Sequence, residues 1–213
     1  MPGEVAEIAL ITDNLGLPDS PARGRESETF ERAKSGDVAA FEQIFDRYQR
    51  KVLLTAWRIL GNREDARDAA QEVFLRVYKY LGRFQSDQDF AAWLYRIIVN
   101  VCRDHARKRG RREQFTSYEA EHRQGSFDSM ASAEDVEASL LRSQQQAMIA
   151  EALDSLSVKE RAAIVLRDLD GLTTEEVARA LGSSQATVRS QISTARAKIK
   201  KFKDRALNRT RRG

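Results

Sequence analysis

Proline is scarce in this sequence and confined to its opening stretch, at Pro2, Pro18 and Pro21. Everything after Pro21 is therefore free of the residue that most strongly interrupts a helix. Cysteine is scarcer still. Cys102 alone excludes an intramolecular disulfide, and with only His105 and His122 beside it no zinc ligand set is at hand, so no metal or other cofactor is expected. No run approaches the ~18 uncharged apolar residues of a membrane-spanning helix. The opening MPGEVAEIAL carries acids where a secretory signal needs a basic segment, so a cytoplasmic chain without membrane insertion is expected. Strand-like alternation and internal repeats are not evident. What is present is 213 residues, 41% hydrophobic and 32% charged, room for one or two domains of ~100–150 residues.

The net charge of +4 hides strong segregation. Residues 1–31 hold seven acids against Arg23 and Arg25, and residues 101–112 hold six basic residues against Asp104. Residues 113–139 hold seven acids against Arg123, and residues 196–212 hold nine basic residues against Asp204. Two basic patches about an acidic connector suit two contacts with a polyanion. Two solvated helix C-termini would carry the same charges.

Apolar periodicity organises the rest. Residues 1–28 are expected to form a flexible arm. Phe41, Ile44, Phe45, Tyr48, Val52, Ala56 and Leu60 recur at helical steps, and Gly61-Asn62 ends that helix. A second helix is predicted from about Glu64 to Leu81, with Ala66, Ala69, Ala70, Val73, Phe74 and Val77 inward. A third runs from about Asp89 to Lys108, with Phe90, Leu94, Ile97 and Val101 on one stripe. Gly110 to about Val136 breaks the pattern and is expected to be a linker. Helical signal returns near Ala138–Leu156. Ser157-Val158-Lys159-Glu160 and Thr173-Thr174-Glu175-Glu176 are capping-box patterns that open two further helices, with Asp170-Gly171 as a turn between them. A last helix runs from about Ser184 beyond Lys200. Cys102, next to inward Val101, is expected to be a small buried hydrophobe.

The segment TTEEVARALGSSQATVRSQISTARAKI has the form of a helix-turn-helix. Ala178 lets two helices cross closely, Gly182 permits a left-handed turn, and Val177, Leu181, Val188 and Ile192 close the inner faces. Ser184, Gln185, Thr187, Arg189, Ser190, Ser193 and Thr194 then point outward near the start of the second helix. Hydroxyls, an amide and a guanidinium there suit phosphates and base edges of a major groove. Arg196 and Lys198 would follow phosphates. In the third helix, Trp93, Arg96, Asn100, Arg103 and Arg107 form one stripe. Such a stripe can stack on unpaired bases and hold a backbone. Periodicity alone favours a core Trp93 with solvated arginines. Asp65, Asp68 and Glu72 form an acidic stripe on the second helix, suited to a basic partner.

The segments DARDAAQEVFLRVYKYLGRF and DFAAWLYRIIVNVCRDHARKR resemble region 2 of the extracytoplasmic-function sigma factors of bacterial RNA polymerase. Residues from Leu153 to about Lys201 resemble region 4 of the same family. The resemblance covers roughly 120 residues, in the family's order. It implies an all-α chain: a region 2-like helical bundle and a region 4-like helix-turn-helix joined by a flexible acidic linker. The corresponding division is an arm over 1–28, region 2 over 29–110, the linker over 111–137, region 4 over 138–205 and a basic tail over 206–213.

The implied function is that of an alternative sigma factor, not itself an enzyme and without a small-molecule substrate. It binds core RNA polymerase through the β′ clamp and β flap and directs initiation at promoter DNA. Asp68, Gln71, Glu72 and Phe74 match the family's polymerase-binding positions. Phe84, Gln85, Ser86, Asp87, Phe90, Trp93, Arg96, Asn100 and Arg103 match those that melt the −10 element and hold its flipped base. Arg189, Ser190, Ser193 and Thr194 fall at the family's usual positions for reading the −35 element, and the outward Ser184, Gln185 and Thr187 are expected to join them, with Arg196 and Lys198 on phosphates. The connector would thread toward the catalytic channel, and an anti-sigma factor is the expected regulator.

Two departures stand out. Leu156-Ser157 replaces the family's usual Leu-Pro, and Gln191, Ser193 and Thr194 stand where bulkier or more basic residues are common. A dimeric helix-turn-helix regulator with an N-terminal sensing domain is the competing reading. A metal-dependent nucleic-acid enzyme is a third, against which stands the lack of paired-carboxylate spacing.

Overall fold

The computed structural model describes residues 23–84, 89–115 and 151–210. The described residues hold helices and no strand, in agreement with the expected all-α class. They comprise α1 (Arg23–Lys34), α2 (Val38–Leu60), α3 (Arg63–Tyr80), a 3-10 turn (Leu81–Arg83), α4 (Phe90–Phe115), α5 (Val158–Ile164), α6 (Thr174–Leu181) and α7 (Gln185–Thr210). Residues 151–154 are also helical.

Local chemistry sets the boundaries. Asp37 caps α2 by accepting from the Ala40 amide at 3.1 Å, and Arg32 grips the same carboxylate. Gly61 closes α2 with φ +70°, a left-handed conformation that only glycine takes without strain. Asn62 Oδ1 then accepts from the Glu64 and Asp65 amides at 2.8 and 3.1 Å and starts α3. Asp89 does the same for α4 through the Ala91 amide at 2.9 Å. Both expected capping boxes are formed, at Ser157/Glu160 and Thr173/Glu176. Each such cap is worth ~1 kcal/mol.

Helices α2, α3 and α4 pack around Ile44, Val52, Ile59, Val73, Val77, Leu94, Ile98 and Cys102. Burial pushes the Cys102 thiol up to about 12, which makes it an inert core residue. Helices α5 to α7 pack around Ala163, Val165, Leu166, Val177, Val188 and Ala195, and this core is continuous with that of α2 to α4.

Four expectations need correction. The sequence predicts an arm over 1–28, but helix α1 starts at Arg23 and buries Phe30 and Ala33. Only two of its residues meet the core, too few for a periodic signal. Helix α4 was expected to end at Lys108, yet it continues through Gly110 to Phe115. One helical glycine costs only about 1 kcal/mol. Arg109 tethers that turn by donating to the Leu60 carbonyl and to Asp65, both at 3.3 Å. Phe45 was expected inward but is 38% exposed and lies against Phe74. The α5 segment widens into an i→i+5 turn over Val165–Leu169, which the capping pattern does not announce. The predicted helical signal at 138–150 and the linker from 116 onward lie outside the described residues.

Candidate nucleic-acid interface

The stripe on α4 begins over an aromatic cluster. Phe84 and Phe90 are buried, with Phe30 stacked 4.3 Å from Phe90 and Tyr48 5.1 Å from it, centroid to centroid. Trp93 is half-buried against Phe84 and Phe90 at 5.2 and 5.5 Å. Phe84 and Phe90 thus form a floor, and Trp93 is the member that also reaches the surface. Gln85, Ser86 and Asp87 lie outside the described residues.

Beyond Trp93, helical repeat leaves Arg96, Asn100 and Arg107 exposed on one line. Arg103, on the same line, is half-buried and donates through Nη1 to the Leu181 carbonyl of α6 at 3.0 Å. Its Nε is buried without a partner, and burial lowers its pKa from the ordinary arginine value. The stripe is therefore exposed at Arg96, Asn100 and Arg107, the last 3.6 Å from Asp104, and engaged across the seam at Arg103.

The acidic stripe of α3 is divided. Asp68 and Gln71 are exposed. Glu72 is held by His105 at 2.9 Å and by Arg76, which also reaches Asp104 at 3.1 Å. Asp65 is held by Arg109. Phe74 is buried beneath them. The same surface carries two apolar side chains absent from the expected set, Leu75 at 70% and Tyr78 at 60% exposure. Their signal was available: both fall off the inward stripe of Ala66, Val73 and Val77 on an otherwise polar face. Phe41 packs edge-on against Tyr78 at 5.0 Å and extends the patch.

The second domain supplies a helix-turn-helix. Gly182 adopts φ +60°, and its amide donates back into α6. Ser184 Oγ accepts from the Thr187 amide at 3.1 Å and lies 2.9 Å from Thr187 Oγ1, so both hydroxyls serve the start of α7. Gln185, Arg189, Ser190, Ser193 and Thr194 are exposed on one face, with Arg189 donating to Gln185 at 3.0 Å. Val188, Ile192 and Ala195 are buried on the other. Arg196 makes a two-pronged contact with Asp168 at 3.0 and 2.7 Å, and Lys198 spans both oxygens of Glu160. The hydrogen bond to Asp168 raises the Arg196 pKa. These two cations brace α7 against α5 and its following turn.

Residues 44–112 match the Sigma-70 region 2 family and residues 146–199 the Sigma-70, region 4 family. The chain is 34% identical over 180 residues to the RNA polymerase sigma-H factor of Pseudomonas aeruginosa, covering 83% of this chain and 93% of that protein. It belongs to the extracytoplasmic-function sigma factors. The sigma factor is also 34% identical over 172 residues to the ECF RNA polymerase sigma-E factor of Escherichia coli, covering 79% of this chain and 89% of that one. Its fold matches CnrH, solved in complex with the cytosolic domain of CnrY, with a TM-score of 0.61 at 27% identity over 84% of this chain and 97% of that one. This sigma factor accordingly directs transcription initiation as an alternative specificity subunit, with core RNA polymerase and promoter DNA as partners. The dimeric-regulator reading is not favoured. Among the described residues, no helix is long and apolar enough to cross a membrane.

Proposed function

We propose that each exposed face serves one step of initiation. The α3 face bearing Asp68, Gln71 and Glu72 docks on the basic β′ clamp, with Leu75 and Tyr78 supplying the apolar contact at its centre and Phe74 supporting it. The second domain engages the β flap. The α4 stripe then works on the −10 element. Trp93 offers a ring for stacking, Arg96 and Arg107 hold the backbone, and Asn100 pairs its amide with the edge of an extruded base. Extrusion costs a few kcal/mol for the unstacked base, which stacking and polymerase contacts offset. Gln85, Ser86 and Asp87 complete that pocket as the family resemblance implies.

The −35 element is read as duplex by Gln185, Arg189, Ser190, Ser193 and Thr194, while Ser184 and Thr187 shape the helix start. Arg196 and Lys198 reach phosphates by exchanging their carboxylate partners, so their contribution to affinity is smaller than that of an unpaired cation. The working division is a region 2 domain over 29–110, extended by α1 and the end of α4, a linker, a region 4 domain over 138–205 and a basic tail over 206–213. The protein acts in the cytoplasm without catalytic chemistry of its own. Because CnrH is complexed with the cytosolic domain of a second protein, an anti-sigma partner that covers the α3 patch is the regulator we propose.

The observation that carries this reading is the coexistence of two separate exposed recognition faces, Arg96/Asn100/Arg107 and Gln185/Arg189/Ser190, in one chain. Reconstituted transcription with sigma-free core polymerase and a genomic promoter library tests it. Discrete starts sharing two upstream elements are expected. Starts that share only one element would remove one of the two faces from the reading.

A further inference from the structure

The two helical domains are joined at a buried ionic seam. The i→i+5 turn after α5 ends with the Asp170 amide donating to the Val165 carbonyl at 2.9 Å. That extra residue in the turn delivers the Asp170 carboxylate into α2 of the other domain. There, Thr55 Oγ1 donates to Asp170 Oδ2 at 2.8 Å. Lys51 Nζ and Arg58 Nη1 lie 3.0 and 3.2 Å from Oδ1. The carboxylate is fully buried and both cations nearly so. A second contact across the seam is the bond from Arg103 to the Leu181 carbonyl.

Such a cluster is sensitive to the loss of its acid. Asp170 pairs with two cations that have almost no access to water, one of which, Lys51, also lies 5.9 Å from the centre of the Tyr95 ring. Without the carboxylate, Lys51 and Arg58 face each other in a low-dielectric seam, and separation of the domains is what rehydrates them.

We propose that the Asp170 cluster is a latch that holds the free sigma factor closed and competes with engagement of polymerase and promoter. The closed chain cannot reach both proposed promoter elements. Elements about 25 base pairs apart are separated by roughly 85 Å at ~3.4 Å per base pair. A compact chain of this length is only ~45 Å across. Opening is therefore obligatory, and it frees Arg103 for the α4 stripe at the same moment. The closed fraction lowers the apparent affinity for polymerase in proportion. For an open form populated at about 10%, full release tightens that affinity about tenfold.

The latch rests on the sigma-factor reading for its consequence but not for its detection. Full-length protein labelled through Arg67→Cys and Lys201→Cys, with buried Cys102 left in place, reports domain separation by single-molecule energy transfer without polymerase. Affinity for core polymerase is then measured on the same variants. Asp170→Asn acts from the second domain and Arg58→Gln from the first. Both are expected to move molecules from the high-transfer to the low-transfer population and to tighten polymerase binding by up to about tenfold. Unchanged transfer in both variants overturns the latch, as does opening with unchanged affinity. Local unfolding predicts weaker binding, so weaker binding in both variants also overturns it. A failure of wild type to bind polymerase at all would instead count against the proposed docking.

Discussion

Glu72 and His105 are joined across the α3–α4 seam, with Glu72 Oε2 2.9 Å from His105 Nε2. Burial raises the Glu72 pKa, but hydrogen bonds from His105 and Arg76 outweigh it, and the net direction is downward from 4.5. A carboxylate whose folded pKa is depressed contributes stability above its unfolded pKa. That contribution is lost as pH falls through the folded value. Glu72→Gln is expected to lower stability by about 0.5 kcal/mol near pH 7, given the partial exposure of the pair. The deficit relative to wild type should shrink as pH falls below about 4.5. Denaturant melts at several pH values check this, and a deficit that is constant with pH would refute the assignment.

Asp68 occupies the same helix face but is exposed. Asp68→Arg is expected to leave the melting temperature unchanged and to weaken core polymerase binding by about fivefold, mainly through slower association. Surface plasmon resonance at two salt concentrations separates the two rates. Unaltered association would place docking elsewhere.

Asn100 projects from α4 between Arg96 and Arg103. Loss of its amide should reduce open-complex formation by about 1–3 kcal/mol while core binding stays intact. Permanganate footprinting of Asn100→Ala alongside a polymerase-binding assay makes the comparison. Equal loss of both would contradict a role confined to the base.

Arg189 is the guanidinium on the exposed face of α7, resting on Gln185. Arg189→Ala is expected to weaken upstream-element duplex binding by about 1–3 kcal/mol and relax selectivity at one position. Uniform weakening across all sequences would make it a phosphate contact instead.

Gly61 sits at φ +70° where a Cβ would lie 2.6 Å from Arg161 Nη1 and 2.7 Å from Asp154 Oδ1. Gly61→Ala combines left-handed strain of about 1–2 kcal/mol with crowding at the domain seam. Thermal melting should show a drop of several degrees. No change would mean that Arg161 and Asp154 yield freely.

Much of the fold was legible because it is local. Capping boxes need only residues three apart, so Ser157/Glu160 and Thr173/Glu176 announce their own helices. The helix-turn-helix is likewise readable, since Gly182 must turn and Val177, Leu181 and Val188 must face one another. Helix α1 and the end of α4 were not legible. Phe30 and Ala33 become informative only once Phe84 and Phe90 are beside them, and the turn at Gly110 is held by Arg109 reaching back to Leu60 and Asp65. Within the candidate site, residue type and spacing located the stripes of α3, α4 and α7 but not their occupancy. Arg103, Arg196 and Lys198 look alike as bare cations, yet each has a specific partner in the folded chain.

The sequence by itself determined most of the helices, the two capping boxes, the charge segregation and the family, because periodicity and short spacings act within one or two turns. Tertiary structure alone decided which charges remain available. Asp170 lies 115 residues from Thr55. A turn in one domain and a helix in the other must meet before that acid has partners. Only the desolvation created by their meeting turns three ordinary polar residues and one carboxylate into a buried seam.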